Sequence, residues 1–337
     1  MRSCFLSRMP VLYNQVVKRY LKVFLLVFLS MLVTLGIIEI GLRFVNYPYQ
    51  NCKEVKGVSE FYIGRFDPEL GWSYSPNSSA EQNGTTFIFN SEGYRVGDIN
   101  KKTDFSKPII LVIGDSILFG HGVTFEESFG YKLQKKLGDK FEVLNFSVQG
   151  NATDQMYLMM QRQIPKYKPV IVITDFIREH NERNVSQDRR FIFPCMLISG
   201  TKPLFGIDNG NLKLIGRPSE YSNFDKFRIV LFGKRVDEAF KFRNVSYQEN
   251  LTRLIMKEMN EYAEKNKVKL LNINFNTGLT YYQSSSNLKK NTVVIDNGKN
   301  EELYLSDKFH PNGKGVSIMV DSFMEKFDQT VLSFLEK

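Results

Sequence analysis

Hydrophobic and polar positions follow three different rhythms along the chain. Between Lys22 and Glu39 stand sixteen uncharged residues, Val23 to Ile38 ("VFLLVFLSMLVTLGII"), apolar on every face, and three more uncharged residues separate Glu39 from Arg43. With Lys22 snorkelling and Glu39 near an interface, this run reaches the roughly 20 residues a spanning helix needs and predicts a membrane segment over 23–42. From 43 to 104 no period is sustained. The stretches "FDPELGWSYSPN" (66–77) and "FIFNSEGYR" (87–95) predict short β-hairpins around Gly and Asn turns. From Lys107 onward, a continuous apolar run at 108–114 and strand-like, largely apolar stretches at 141–148, 170–176 and 268–275 alternate with helical spacing at 126–137, 153–164, 247–265 and 312–334. Such runs between amphipathic helices predict a doubly wound, mostly parallel α/β sheet covered on both faces, over 105–337. Residues 190–246 follow neither period.

Charge sharpens the first region. The chain of 337 residues has a formal net charge of +9, of which +5 comes from Arg2, Arg8, Lys18, Arg19 and Lys22, with no acidic residue among the first 22. The basic stretch 1–22 is therefore expected in the cytoplasm, and the residues beyond the apolar run are expected outside it, in a periplasmic or extracellular position. With only +4 spread over the remainder, nucleic-acid binding loses most of its case. A cleaved signal peptide is the rival reading, but no small-x-small site comes after the run; a buried core helix fits poorly with a one-sided basic flank. The three cysteines, Cys4, Cys52 and Cys195, are too scattered for a zinc site or a disulfide framework. Cys52 and Cys195 share a compartment under this topology and can pair.

Candidate chemistry gathers beyond the carboxyl ends of the expected strands, where ligands collect in such sheets. Ser116 comes just after the first strand in "LVIGDSILFG", Gly150 after the second, and "TDFIREHNERN" (174–184) after the third. Near the C-terminus, "LSDKFHPNGKG" (305–315) places Asp307 and His310 three apart just before the last helix. A serine nucleophile needs a base within hydrogen-bond reach and a carboxylate to orient that base, and one turn supplies both. Each signal alone also fits a bland role: Gly-Asp-Ser as a helix cap, Asp115 as a turn-former, His121 as loop packing, Asn151 or Thr153 as a helix cap, and the Lys and Arg residues near 226–243 as a solvated face.

Taken together, Gly114-Asp115-Ser116, Gly150 and Asp307-x-x-His310 resemble the blocks of the SGNH (GDSL-type) hydrolase superfamily over about residues 105–337, and "DPELGW" through "NSEGYR" resembles the segment that precedes the catalytic domain in membrane-anchored bacterial members. The resemblance implies a flavodoxin-like sheet, Ser116 as nucleophile, His310 as base and Asp307 as its orienter. It also implies an oxyanion hole built from the backbone N–H groups of Ser116 and Gly150 and an asparagine amide. One block departs from the family pattern: after the third strand the chain has no Gly-x-Asn-Asp. By residue count His180 is the favoured third donor and Asn181 the next, whereas Glu179 would repel a developing negative charge. The implied function is a membrane-anchored serine esterase acting on an ester, with O-acyl groups of a surface glycan as the expected substrate and no metal or organic cofactor. An O-acetyltransferase using the same residues and a catalytically silent glycan-binding protein are the alternatives.

Overall fold

The computed structural model describes residues 9–49, 64–82, 84–192, 200–275, 292–295 and 300–335. Cys4, Cys52 and Cys195 lie outside these residues, and with them the question of a disulfide. The chain divides into two compact units, Met1–Asn51 with Ser222–Val236, and Cys52–Tyr221 with Asp237–Lys337.

The first unit is dominated by helix α1 (Met9–Phe44). Its stretch Val16–Phe44 contains an 18-residue window of mean hydropathy 2.6, none of it buried inside the protein, which makes the helix long and apolar enough to cross a membrane.

The second unit begins with the hairpin β1 (Gly64–Asp67) and β2 (Gly71–Tyr74), then β3 (Ser78–Gln82), β4 (Thr85–Phe89) and β5 (Arg95–Val96). An alternating series comes next: β6 (Ile109–Ile113), α2 (Ser116–Phe119), α3 (Phe129–Leu137), β7 (Glu142–Asn145), α4 (Thr153–Tyr167), β8 (Ile171–Phe176) and α5 (Glu179–Val185). The hairpin β9 (Leu204–Asp208) and β10 (Asn211–Gly216) precedes α6 (Arg228–Arg243), which runs on from the first unit, and then come α7 (Val245–Lys265), β11 (Lys269–Phe275), β12 (Thr292–Ile295) and α8 (Gly313–Leu335).

Eight strands form one sheet in the order β12–β11–β8–β6–β7–β5–β4–β3. The five from β12 to β7 are parallel, and β5, β4 and β3 continue the sheet antiparallel. Within β6 every residue is buried, and successive side chains alternate between two layers. Leu111 and Ile113 join Met156, Met160, Leu251 and Ile255 of α4 and α7, whereas Ile110 and Val112 join Phe129, Leu133, Met319 and Phe323 of α3 and α8. Two covered faces are why the strand reads as an unbroken apolar run rather than an alternation. The chain leaves β6 for β7 on one side and returns to β8 on the other, so the carboxyl end of β6 is the point where the strand order reverses.

The hairpin segment is more than a spacer, since β3 to β5 extend the main sheet. The stretch 190–246, which has no clear period, contains β9–β10 and α6. Helix α4 is capped differently from the sequence expectation. Its N-cap is Ala152, whose N–H is taken by Gln155 Oε1 at 3.1 Å, while Thr153 Oγ1 accepts from Asn184 and the Asn151 amide is buried with neither of its polar atoms partnered.

Candidate active site

Gly114 ends the first parallel strand where the backbone passes very close to its neighbours: a Cβ there would sit 2.8 Å from Leu118 and 2.9 Å from Asp175 Oδ1. Only glycine fits. The next residue, Asp115, is extended and turns its side chain onto the N–H of Ile117 at 2.8 Å, capping the single turn of α2 that Ser116 opens. Ser116 is thereby raised at the strand end with its backbone fixed from both sides.

Below this turn lies a fully buried polar cluster. Asp175, from β8, accepts the Asp115 N–H at 3.1 Å, and Asp115 Oδ2 receives His180 Nε2 at 3.2 Å and Arg183 Nη1 at 3.1 Å, both from α5. Burial alone would raise the Asp115 carboxyl, but the His180 hydrogen bond and the Arg183 charge hold it well below its ordinary value. Burial, then the Asp115 charge beside it, pushes Asp175 well above its own. The two shifts run in opposite directions, which favours the negative charge on Asp115.

Across from the turn, the loop before α8 delivers the base. Asp307 Oδ1 accepts the N–H groups of Phe309 and His310, each at 2.9 Å, and Asp307 Oδ2 takes His310 Nδ1 at 2.6 Å. His310 Nε2 reaches Ser116 Oγ at 2.9 Å. With Nδ1–H donated to the carboxylate, Nε2 is left as the acceptor that faces the hydroxyl. Partial burial works to raise Asp307, and the hydrogen bonds from His310 and Phe309 overcome it and hold the carboxyl below the usual range. Ser116, His310 and Asp307, 194 residues apart at the extremes, therefore meet in one hydrogen-bonded line.

The glycine of the second block, Gly150, has φ +75°, a backbone state that favours glycine. Its loop is tied down from the hairpin, where Trp72 Nε1 donates to Gln149 O at 3.1 Å and the Gln149 N–H donates to Tyr74 Oη at 3.0 Å, and from the turn after α5, where Arg189 donates to Gly150 O. The "GW" stretch of the connecting segment thus supports the second block. His121 stands beside the base, its ring 4.3 Å from that of His310 and its Nδ1 3.1 Å from Gln149 Oε1. Burial and the neighbouring His310 push His121 below the ordinary imidazole value, which favours its neutral form.

The favoured third donor, His180, is fully buried, with its Nε2 hydrogen-bonded to Asp115 beneath the nucleophile turn. That engagement supports a role in steadying the turn. Asn181, next in α5, is half-buried and its Oδ1 is unpartnered; Glu179 is half-buried as well. Asn145 and Arg95 were missed by the sequence reading. Asn145 Nδ2 donates to Leu118 O at 2.9 Å, and the Arg95 guanidinium donates to Phe119 O, Gly120 O and Val123 O at 2.6, 2.8 and 2.7 Å. An asparagine ending a strand and an arginine in a two-residue strand leave no periodic trace, so nothing in the pattern marks them.

Among the described residues, two clusters bring three metal-type donor atoms within 4.8 Å of one another, His121–Asp307–His310 and Asp115–Asp175–His180. In the first the Asp307–His310 hydrogen bond already uses two of the groups, and in the second the Asp115–His180 bond does.

No family model matches the chain, and no curated protein does. Among solved structures, the chain is similar to TesA, with 13% identity, 66% of this chain and 99% of that one covered, and a TM-score of 0.41. It is also similar to the psychrotrophic esterase EstA from a Pseudoalteromonas species, with 13% identity, 68% and 100% covered, and a TM-score of 0.38. A third similar structure is a putative lipolytic protein of the G-D-S-L family from Desulfitobacterium hafniense, with 16% identity, 65% and 99% covered, and a TM-score of 0.39.

Proposed function

We propose that this chain is an SGNH-type serine ester hydrolase that works through an acyl-enzyme on Ser116. The observation that carries the reading is the continuous line Ser116 Oγ, His310 Nε2, His310 Nδ1, Asp307 Oδ2, with steps of 2.9 and 2.6 Å. An isolated serine hydroxyl is a poor nucleophile and becomes reactive only with a base in reach. As Oγ attacks the ester carbonyl, His310 Nε2 takes its proton, and ionised Asp307 stabilises the imidazolium that results. The tetrahedral oxyanion is held by the N–H groups of Ser116 and Gly150 and by the Asn181 amide. His310 then returns the proton to the departing alkoxide. In the second half a water loses its proton to His310, attacks the acyl carbon and releases the acid, restoring Ser116.

The favoured substrate is an O-acyl group on a glycan of the cell envelope, a reading supported by the apolar helix α1 and by the +5 flank, which directs the rest of the chain across the membrane. A fluorophosphonate probe tests the chemistry. Wild-type protein is expected to be labelled on Ser116, Ser116→Ala to be unlabelled, and Asp307→Asn to react slower by about 10³-fold or more, because the amide leaves His310 in the wrong tautomer. Asn181→Ala is expected to lower kcat on an aryl acetate by about 10²-fold with little change in KM. Labelling of Ser116→Ala at the wild-type rate would remove the nucleophile assignment. Turnover that appears only when a sugar acceptor is added would make the protein a transferase.

A further inference from the structure

The first unit joins two stretches of chain far apart in sequence, and its charge and apolar surface do not suit water. Residues 226–232 are bound along the C-terminal end of α1. Glu39 Oε2 accepts the Ile229 N–H at 2.9 Å, Arg43 Nη2 donates to Lys226 O at 3.1 Å, the rings of Tyr47 and Phe232 meet edge-on at 5.9 Å, and the Arg228 guanidinium lies 4.6 Å over the Tyr49 ring. Glu39, the acidic residue that interrupts the apolar run, thus takes up a free N–H at the start of α6.

Depth is set by helix geometry. With the sixteen residues Val23–Ile38 centred in the hydrocarbon, Glu39 lies about 13 Å and Phe44 about 20 Å from the midplane, either side of the core boundary at roughly 15 Å. Whatever is hydrogen-bonded to Glu39 and Arg43 lies at that boundary too. There the segment Ser222–Val236 presents Phe224 at 73% exposure and Phe227, Phe232 and Val236 at 46–47%, and Phe44 of α1 is 91% exposed. Exposed apolar side chains of this size on one short segment mark an interaction surface. Between them stand Lys226, Arg228, Lys234 and Arg235 against one acidic residue, Asp225, which pairs with Lys234 at 2.5 Å. Aromatic rings with cationic side chains among them, at the level where a spanning helix emerges, match the headgroup boundary of a bilayer and its anionic phosphates.

We propose that Ser222–Val236 is an interfacial membrane-binding segment, lodging Phe224, Phe227 and Phe232 at the headgroup–acyl boundary of the bilayer that α1 enters. It rests on the reading of α1 as a retained anchor, and the packing of 226–232 on residues 39–49 supports retention, since cleavage near residue 45 would strip the Ile229 N–H and Lys226 carbonyl of their partners.

The full chain, reconstituted in vesicles of phosphatidylcholine and phosphatidylglycerol, tests this by tryptophan quenching with lipids brominated either near the headgroup or near the acyl-chain end. The natural tryptophan, Trp72, is 2% exposed and supplies a constant background. Phe227→Trp and Phe224→Trp are expected to add emission lost chiefly to the shallow bromines, and Phe28→Trp, in the middle of α1, emission lost chiefly to the deep ones. Loss of the Phe28→Trp emission with none for Phe224→Trp and Phe227→Trp would overturn the interfacial segment alone. The same holds if the emission of the latter two shifts to the blue only as protein crowds the vesicles, which would mean that a second copy of the chain covers the patch. No quenching of Phe28→Trp would overturn the anchor, and the proposal with it.

Discussion

Asp175 and Asp115 show how one residue's environment decides another's charge. Both are fully buried, yet His180 and Arg183 donate to the Asp115 carboxylate while Asp175 accepts the Asp115 N–H, so the Asp115 carboxyl is held low and that of Asp175 is pushed up. A group whose folded pKa is raised contributes stability that is complete below its unfolded value, near 3.9, and lost as pH rises through the folded value. Asp175→Asn, which is neutral at every pH and retains an oxygen for the Asp115 N–H, is therefore expected to be as stable as wild type at about pH 4. It is expected to become progressively more stable than wild type as pH climbs, in urea melts taken across that window. Parallel pH profiles for the two proteins would show that Asp175 is ionised in the fold. His180 belongs to the same cluster: burial pushes it toward the neutral form, and its hydrogen bond to Asp115 steadies the turn that carries Ser116.

The elements around the site owe their positions to polar ties more than to their own propensity. Helix α2 is one turn long, too short to persist alone, and is held by the Asp115 cap at its start and by Arg95 at its end. The Arg95 guanidinium is buried against the faces of Phe87 and Phe119, and burial brings its pKa down to about 10, which leaves it cationic at neutral pH. Its planar fork serves three carbonyls at once, which the single ammonium of lysine does not reproduce. Arg95→Lys is thus expected to cost about 2 kcal/mol in urea unfolding and to slow fluorophosphonate labelling of Ser116, because the 119–123 loop that bears His121 loosens. Unchanged stability and labelling would mean that the loop is held by its packing alone.

Along the whole chain, a basic N-terminus precedes an apolar helix and an α/β unit, and we propose that charge sets the membrane topology. The +5 flank before Val23 predicts that an alkaline phosphatase fused after Lys337 is active in intact cells and a cytoplasm-dependent reporter fused there is not. The reverse result would place the α/β unit inside.

What the sequence determined by itself are the features written in local period and order. Four of the five parallel strands, β12 excepted, and most of the helices that cover them are legible because burial on two faces leaves largely apolar runs and burial on one face leaves a helical stripe. The candidates Ser116, Asp307 and His310 are legible because a short motif sits at a predictable strand end and another just before the last helix. Tertiary structure alone decided that β3 to β5 extend the main sheet, that β9–β10 and α6 occupy 190–246, and that His180 faces Asp115 instead of the open site. Helical residues one position apart point about 100° from each other, so counting along "REHNERN" cannot say which side chain faces the site. Nor does any local pattern tell Glu39 that its partner is Ile229, 190 residues away. Those choices depend on which surfaces meet once the chain has folded, and pairings between distant polar groups leave no periodic mark along it.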